Sequence, residues 1–167
     1  RPGEIYVIAA AEGTGKSGFV QELIFGLVDQ HIKTGLFSFE YTPEQVAERL
    51  IGNKLNKKIH DPSEEWWDEA AINKEKAILD EYIYLYNNRG ALTLEGILGY
   101  IRYLVAYFEV KVIVIDNLSC LCADTRIDGR AVGDASYIGH IALHLQAIVK
   151  ELKITMLIVS HLNDDKF

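Results

Sequence analysis

A chain of 167 residues, 49% of them hydrophobic, has enough apolar material for one substantial core, and its simplest organisation is a single domain. A net charge of −7 excludes a broad basic face for duplex DNA, so any nucleic acid must be met by a few local loops or by a ring that concentrates charge inside. No apolar run reaches the length of a membrane span and Arg1-Pro2-Gly3-Glu4 is no signal peptide, so a soluble, intracellular protein without membrane contact is expected. Cys120 and Cys122 lie too close together for a disulfide framework, and no second Cys/His pair stands at zinc spacing. They are read as reduced thiols near a strand end.

The first element is the apolar run Ile5 to Ala9, which reads as a short buried strand. It runs into AAEGTGKSG, from Ala10 through Ala11, Glu12, Gly13, Thr14, Gly15, Lys16 and Ser17 to Gly18. This matches G-x-x-x-x-G-K-S/T with Ala10 in the first glycine's place, and Gly13 and Gly15 remain for the tight part of the loop. Small residues let successive backbone N–H groups turn inward around an anion, and a helix opening at the end adds its dipole. Lys16 would reach the β- and γ-phosphates, and the Ser17 hydroxyl would join the Mg²⁺ that bridges them. Beyond the loop, Phe19, Val20, Leu23, Ile24, Leu27 and Val28 mark one face of a helix. An ordinary glycine-rich turn gives no reason for Lys-Ser at that offset.

Gly35 to Glu40 reads as a second strand. In Thr42-Pro43-Glu44-Gln45, Thr caps a helix, Pro takes its first position and Gln completes a capping box, and the helix runs toward Leu55. After a loop over 56–62, Ser63 is expected to cap a helix through about Leu79 that carries Trp66 and Trp67. Tyr82 to Tyr86 is a short strand. Thr93 then opens a helix with Ile97, Leu98, Ile101, Leu104, Val105 and Phe108 on one side. Val110 to Ile115 is almost continuously apolar, the mark of a central strand buried on both faces. A polar stretch from Ala123 to Ser136 precedes a helix with Ile138, Ile141, Leu145, Ile148 and Leu152 aligned, and the strand Ile154 to Val159 follows. Strands alternating with helices imply an α/β fold, a mostly parallel sheet with helices on both faces. Ligands meet such sheets at the carboxyl ends of the strands.

Four strand ends carry useful chemistry: Lys16-Ser17, Glu40, Asp116 and His161. Asp116 ends an apolar strand and suits the holding of Mg²⁺, although an Asp there also serves as a simple cap. Asn117 follows it, so the adjacent carboxylate that would activate water is missing. Glu40, one strand over, is the carboxylate placed to orient and deprotonate that water, or else is an exposed strand-end Glu. His161 could donate to the γ-phosphate and report its presence, or be structural. His140 and His144 stand one helical turn apart without an evident third metal ligand. Trp66-Trp67 and the tyrosines Tyr100, Tyr103 and Tyr107 are read as core or subunit contacts rather than base-stacking platforms, because they fall on helices with apolar periodicity.

RPGEIYVIAAAEGTGKS, GLFSFE, KVIVIDNLS and TMLIVSHL, in that order and spacing, resemble the RecA-like motor domain of ring-forming replicative DNA helicases. The phage primase-helicase and mitochondrial Twinkle branch is the nearer likeness and bacterial DnaB the more distant. The resemblance implies a RecA-like P-loop NTPase fold, with Lys16 and Ser17 on phosphate and metal, Glu40 as the base, Asp116 on Mg²⁺ and His161 as the γ-phosphate switch. It also implies single-stranded DNA as partner, gripped in part by the loop containing Arg126 and Arg130, and a homo-oligomeric ring in which a neighbouring subunit supplies an arginine finger. The family continues well past this histidine, whereas this sequence stops at Phe167, so a domain incomplete relative to the family is expected.

Two classes of function remain. One is an ATP-dependent helicase motor that couples hydrolysis of ATP or another NTP to translocation during replication. The other is a RecA-like ATP-binding module that assembles or regulates a partner with little turnover, and a recombinase-type ATPase would use the same fold. Glu40 and His161 favour the motor, because a pure binder has little use for them.

Overall fold

The computed structural model describes residues 1–10, 15–59, 68–87, 93–117 and 135–161, with the backbone alone at Ala10, 135–138 and His161. Its strands are β1 (Ile5–Ala10), β2 (Thr34–Ser38), β3 (Ile83–Leu85), β4 (Val112–Asp116) and β5 (Thr155–His161). Its helices are α1 (Lys16–Asp29), α2 (Pro43–Leu55), α3 (Glu69–Tyr82), α4 (Leu94–Phe108) and α5 (Ala135–Leu152). Among the described residues the strands form one sheet in the order β1-β5-β4-β2-β3, and every pairing is parallel. Parallel neighbours require crossovers, and the helices that make them cover both faces.

The alternation of side chains along β4 shows how the two faces are filled. Ile113 and Ile115 join Phe37, Met156 and Ile158 in a core under α4 and α5, with Ile97, Ile101, Leu145 and Ile148 opposite them. Val112 and Val114 point the other way, into a core with Val20, Ile24, Val46, Leu50 and Leu79 from α1, α2 and α3. A strand buried on both sides has no polar alternation, as the sequence of β4 requires. Where α4 meets α5, Arg102 donates to Glu151 through Nε and Nη2 at 3.2 and 3.0 Å. The guanidinium holds the Glu151 carboxyl below its usual range.

Local chemistry sets the helix starts. The Thr42 hydroxyl accepts from Gln45 N at 3.3 Å and Thr42 N donates to Gln45 Oε1 at 3.1 Å, the reciprocal box expected of this tetrapeptide. Thr93 caps α4 through a 3.1 Å bond from Gly96 N. For α3 the cap is Asp68, whose Oδ1 accepts from Ala71 N at 3.0 Å, and not Ser63. Ser63, Trp66 and Trp67 lie outside the described residues. The second strand also ends earlier than its sequence implies. Its last rung is Phe39 N donating to Asp116 O at 3.0 Å, after which the chain bends toward the cap of α2 and leaves Glu40 beyond the ladder.

Tyr100 packs against the first core, edge-on to Phe37 and to Tyr86, which themselves stack at 4.9 Å. Tyr103 and Tyr107 continue that aromatic row outward and are 43% and 75% exposed. Of the two alternatives, core or subunit contact, the core one describes Tyr100, whereas Tyr107 is an exposed surface residue of α4.

Two helical glycines should respond oppositely to alanine. At Gly99, exposed on α4, a Cβ meets nothing within 4 Å, so Gly99→Ala should stabilise by about 0.5–1 kcal/mol through helix propensity. At Gly52 in α2 it would lie 2.6 Å from the Lys57 carbonyl oxygen, so Gly52→Ala should destabilise by about 1–3 kcal/mol despite the same propensity gain. Urea denaturation of both variants reads the two signs.

Candidate nucleotide site

The parallel register determines what stands beside what. Ala10 at the end of β1 pairs with His161 at the end of β5, and Ser38 at the end of β2 pairs with Asp116 at the end of β4. The residues singled out in the sequence thus lie at one edge of the sheet, the carboxyl edge. The loop residues Ala11, Glu12, Gly13 and Thr14, and the arginines Arg126 and Arg130, lie outside the described residues, as do Cys120 and Cys122.

Gly15 is the N-cap of α1 and adopts φ 87° and ψ 16°, a left-handed conformation that costs a residue with a Cβ about 1–2 kcal/mol. At this turn the chain enters α1. Gly15 O accepts from Phe19 N at 3.0 Å, closing the first helical turn. Lys16 follows and is only 8% exposed, so its stem is packed rather than extended into solvent. Ser17 and Gly18 are exposed at the start of the helix.

Ser17 and Asp116 line the same cleft between α1 and α2, together with Gln21, Ser38, Tyr41 and Arg49. A hydroxyl and a carboxylate are hard oxygen donors, the set that Mg²⁺ takes alongside water and phosphate. The donor chemistry fits that ion. Asp116 is the last residue of β4 and half-buried, and its peptide to Asn117 is cis. Asn117 is 2% exposed, and its Nδ2 donates to Glu40 Oε1 at 2.5 Å. Glu40 itself is exposed, in the bend between β2 and α2.

A family description settles what this arrangement belongs to. The model for the DnaB-like helicase C-terminal domain matches residues 1–166. The chain belongs to that family. Among solved structures, the ATPase domain of a DnaB-family helicase superposes with a TM-score of 0.73 at 18% identity, over 98% of this chain and 59% of that one. At that identity the likeness speaks for the RecA-like fold, and the DnaB-like chain spans about three-fifths of the solved domain.

Two residues at or beside the cleft, Arg49 and Asn117, are not singled out by the sequence as site candidates. Arg49 places its guanidinium 4.1 Å from the centre of the Tyr41 ring at the mouth of the cleft. Its position three residues after the core residue Val46, on the face of α2 toward the sheet, was the available signal. Asn117 was noticed only as a missing carboxylate, and its tie to Glu40 spans 77 residues of sequence with no local pattern to announce it. His140 and His144 sit with their rings 4.4 Å apart on the exposed side of α5.

The Arg49–Tyr41 contact is half-exposed, where such pairs are worth about 0.5–1 kcal/mol. A double-mutant cycle with Arg49→Met and Tyr41→Leu, followed by urea denaturation, should return a coupling of about that size. Additive effects of the two substitutions would show that the stacking contributes nothing.

Proposed function

We propose that this DnaB-like domain is the NTP-hydrolysing motor of a replicative helicase, coupling turnover to movement on single-stranded DNA within a homo-oligomeric ring. The observation that carries the reading is one cleft lined by Ser17, Ser38, Tyr41 and Asp116, with Glu40, the residue before Tyr41, bonded to Asn117, the residue after Asp116. A pure binding module has use for the helix end and the lysine but none for a carboxylate fixed just beyond the strand.

In this reading the loop from Ala10 to Gly18 wraps the phosphates with its backbone N–H groups, and Lys16 neutralises the β- and γ-phosphates. Ser17 and Asp116 would hold Mg²⁺, which when bound draws off charge from the β- and γ-oxygens. Glu40 accepts a proton from water as the water oxygen bonds to the γ-phosphorus. The bond from that phosphorus to the bridging oxygen breaks, its electron pair stays on the departing nucleoside diphosphate, and inorganic phosphate leaves. His161, opposite Ala10 in the ladder, is the residue assigned to sense loss of the γ-phosphate. An arginine from the neighbouring subunit would stabilise charge in the transition state. Arg126 and Arg130 are assigned to the phosphates of single-stranded DNA, a few contacts compatible with an acidic chain.

The variants separate binding from chemistry. Lys16→Ala should weaken nucleotide binding by roughly tenfold or more, and Asp116→Asn should remove the Mg²⁺ dependence of that binding. Glu40→Gln should leave affinity intact while turnover falls by about 10²–10⁴. Single-stranded DNA should raise wild-type turnover. Fluorescent-nucleotide titration and steady-state phosphate release read the two quantities. Equal turnover in wild type and Glu40→Gln, without response to DNA, would identify a binding module instead.

A further inference from the structure

Glu40 poses a physical problem for a general base. It lies outside any strand, it is exposed, and a glutamate has three side-chain torsions to order before it can present an oxygen to water. Asn117 is its opposite, buried to 2% exposure immediately after a strand whose residues from Val112 to Ile115 are all buried. The sheet brings the two together. Ser38 pairs with Asp116, Phe39 N donates to Asp116 O at 3.0 Å as the final rung, and the next residue on each strand's exit is Glu40 on one side and Asn117 on the other. The 2.5 Å bond from Asn117 Nδ2 to Glu40 Oε1 joins the exposed side chain to the buried one.

Resting on the hydrolytic reading above, we infer that Asn117 is the positioning residue for Glu40: its buried amide anchors one carboxylate oxygen and directs the other to the attacking water. The strand that carries Asp116 is followed by an amide donor, while the carboxylate comes from the bend after β2. The two strands therefore share between them a task that needs both an acceptor for the proton and a fixed geometry. Asn117 touches neither nucleotide nor water in this account and acts wholly through Glu40. Its loss should then alter the chemical step and leave nucleotide binding alone.

The contact and its consequence are tested separately on the full chain. In ¹⁵N-edited spectra of this 18.8 kDa protein, the Asn117 side-chain NH₂ signals are identified by their loss in Asn117→Leu, a variant of similar volume without a donor. Glu40→Ala should move those signals, and signals unmoved by Glu40→Ala would show that the bond is absent and overturn the inference. In steady-state hydrolysis, Asn117→Leu should lower kcat by roughly 10–100-fold with KM for ATP unchanged. Asn117→Gln, which keeps the amide, should retain more turnover than Asn117→Leu. Adding Glu40→Gln to Asn117→Leu should cost no more than Glu40→Gln alone. A rise in KM equal to the fall in kcat, or additive losses in the double variant, would assign Asn117 a structural role and overturn the inference. If Glu40→Gln alone turns over like wild type while Lys16→Ala does not, the base assignment fails, and the NH₂ signals still report whether the contact exists.

Discussion

The register of a parallel sheet is the constraint on which the rest of the molecule depends. Because β1, β5, β4 and β2 all run the same way, their carboxyl ends collect at one edge, and the pairing of Ser38 with Asp116 and of Ala10 with His161 sets which residues become neighbours there. A slip of one residue between β2 and β4 would turn Phe37 out of its core and carry Glu40 away from Asn117 in the same movement. Core packing and site geometry are thus specified by the same hydrogen bonds. The apolar content of β4, with Ile113 and Ile115 to one side and Val112 and Val114 to the other, is what makes that slip costly.

The residues proposed for the site stand at short exits from this sheet. Gly15 caps α1 in a left-handed turn, and Lys16 is packed as it leaves that turn. The bend after Ser38 is short because the capping box of α2 opens at Thr42, which allows Glu40 and Tyr41 little freedom between two fixed elements. Arg49, from the first turns of α2, then covers Tyr41. Loops carry the chemistry while strands and helix caps determine where the loops can go.

Much of this was legible in the sequence for identifiable reasons. The capping box at Thr42 and the apolar run of β4 are local patterns, each a few residues long, that can be read from the segment alone. The family resemblance rested on four such segments in order. What was not legible depends on partners far away in the chain. Residues 35–40 carry strand character to Glu40, yet β2 stops at Ser38 because the ladder with β4 ends there. Ser63 and Asp68 are both good caps by type, and the bond from Ala71 N decides for Asp68. Asn117 looked like the absence of a carboxylate until its side chain was seen to reach Glu40 across 77 residues of sequence. Periodicity shows which face of a helix is apolar but not how fully each position on it is covered, as Tyr100, packed edge-on to Phe37, and Tyr107, 75% exposed, illustrate.

The central claim is that one MgATP-binding site occupies the carboxyl edge of the sheet between α1 and α2. Backbone amide shift mapping with Mg²⁺ and a non-hydrolysable ATP analogue tests it most directly. The account predicts the largest changes over Gly15 to Gly18, at Glu40 and Tyr41, and at Asp116 and Asn117, with Tyr103 and Tyr107 unmoved. Changes centred instead on the groove between α2 and α3 lined by Ala47, Ile51, Ile72 and Leu79, or no change at saturating analogue, would contradict it.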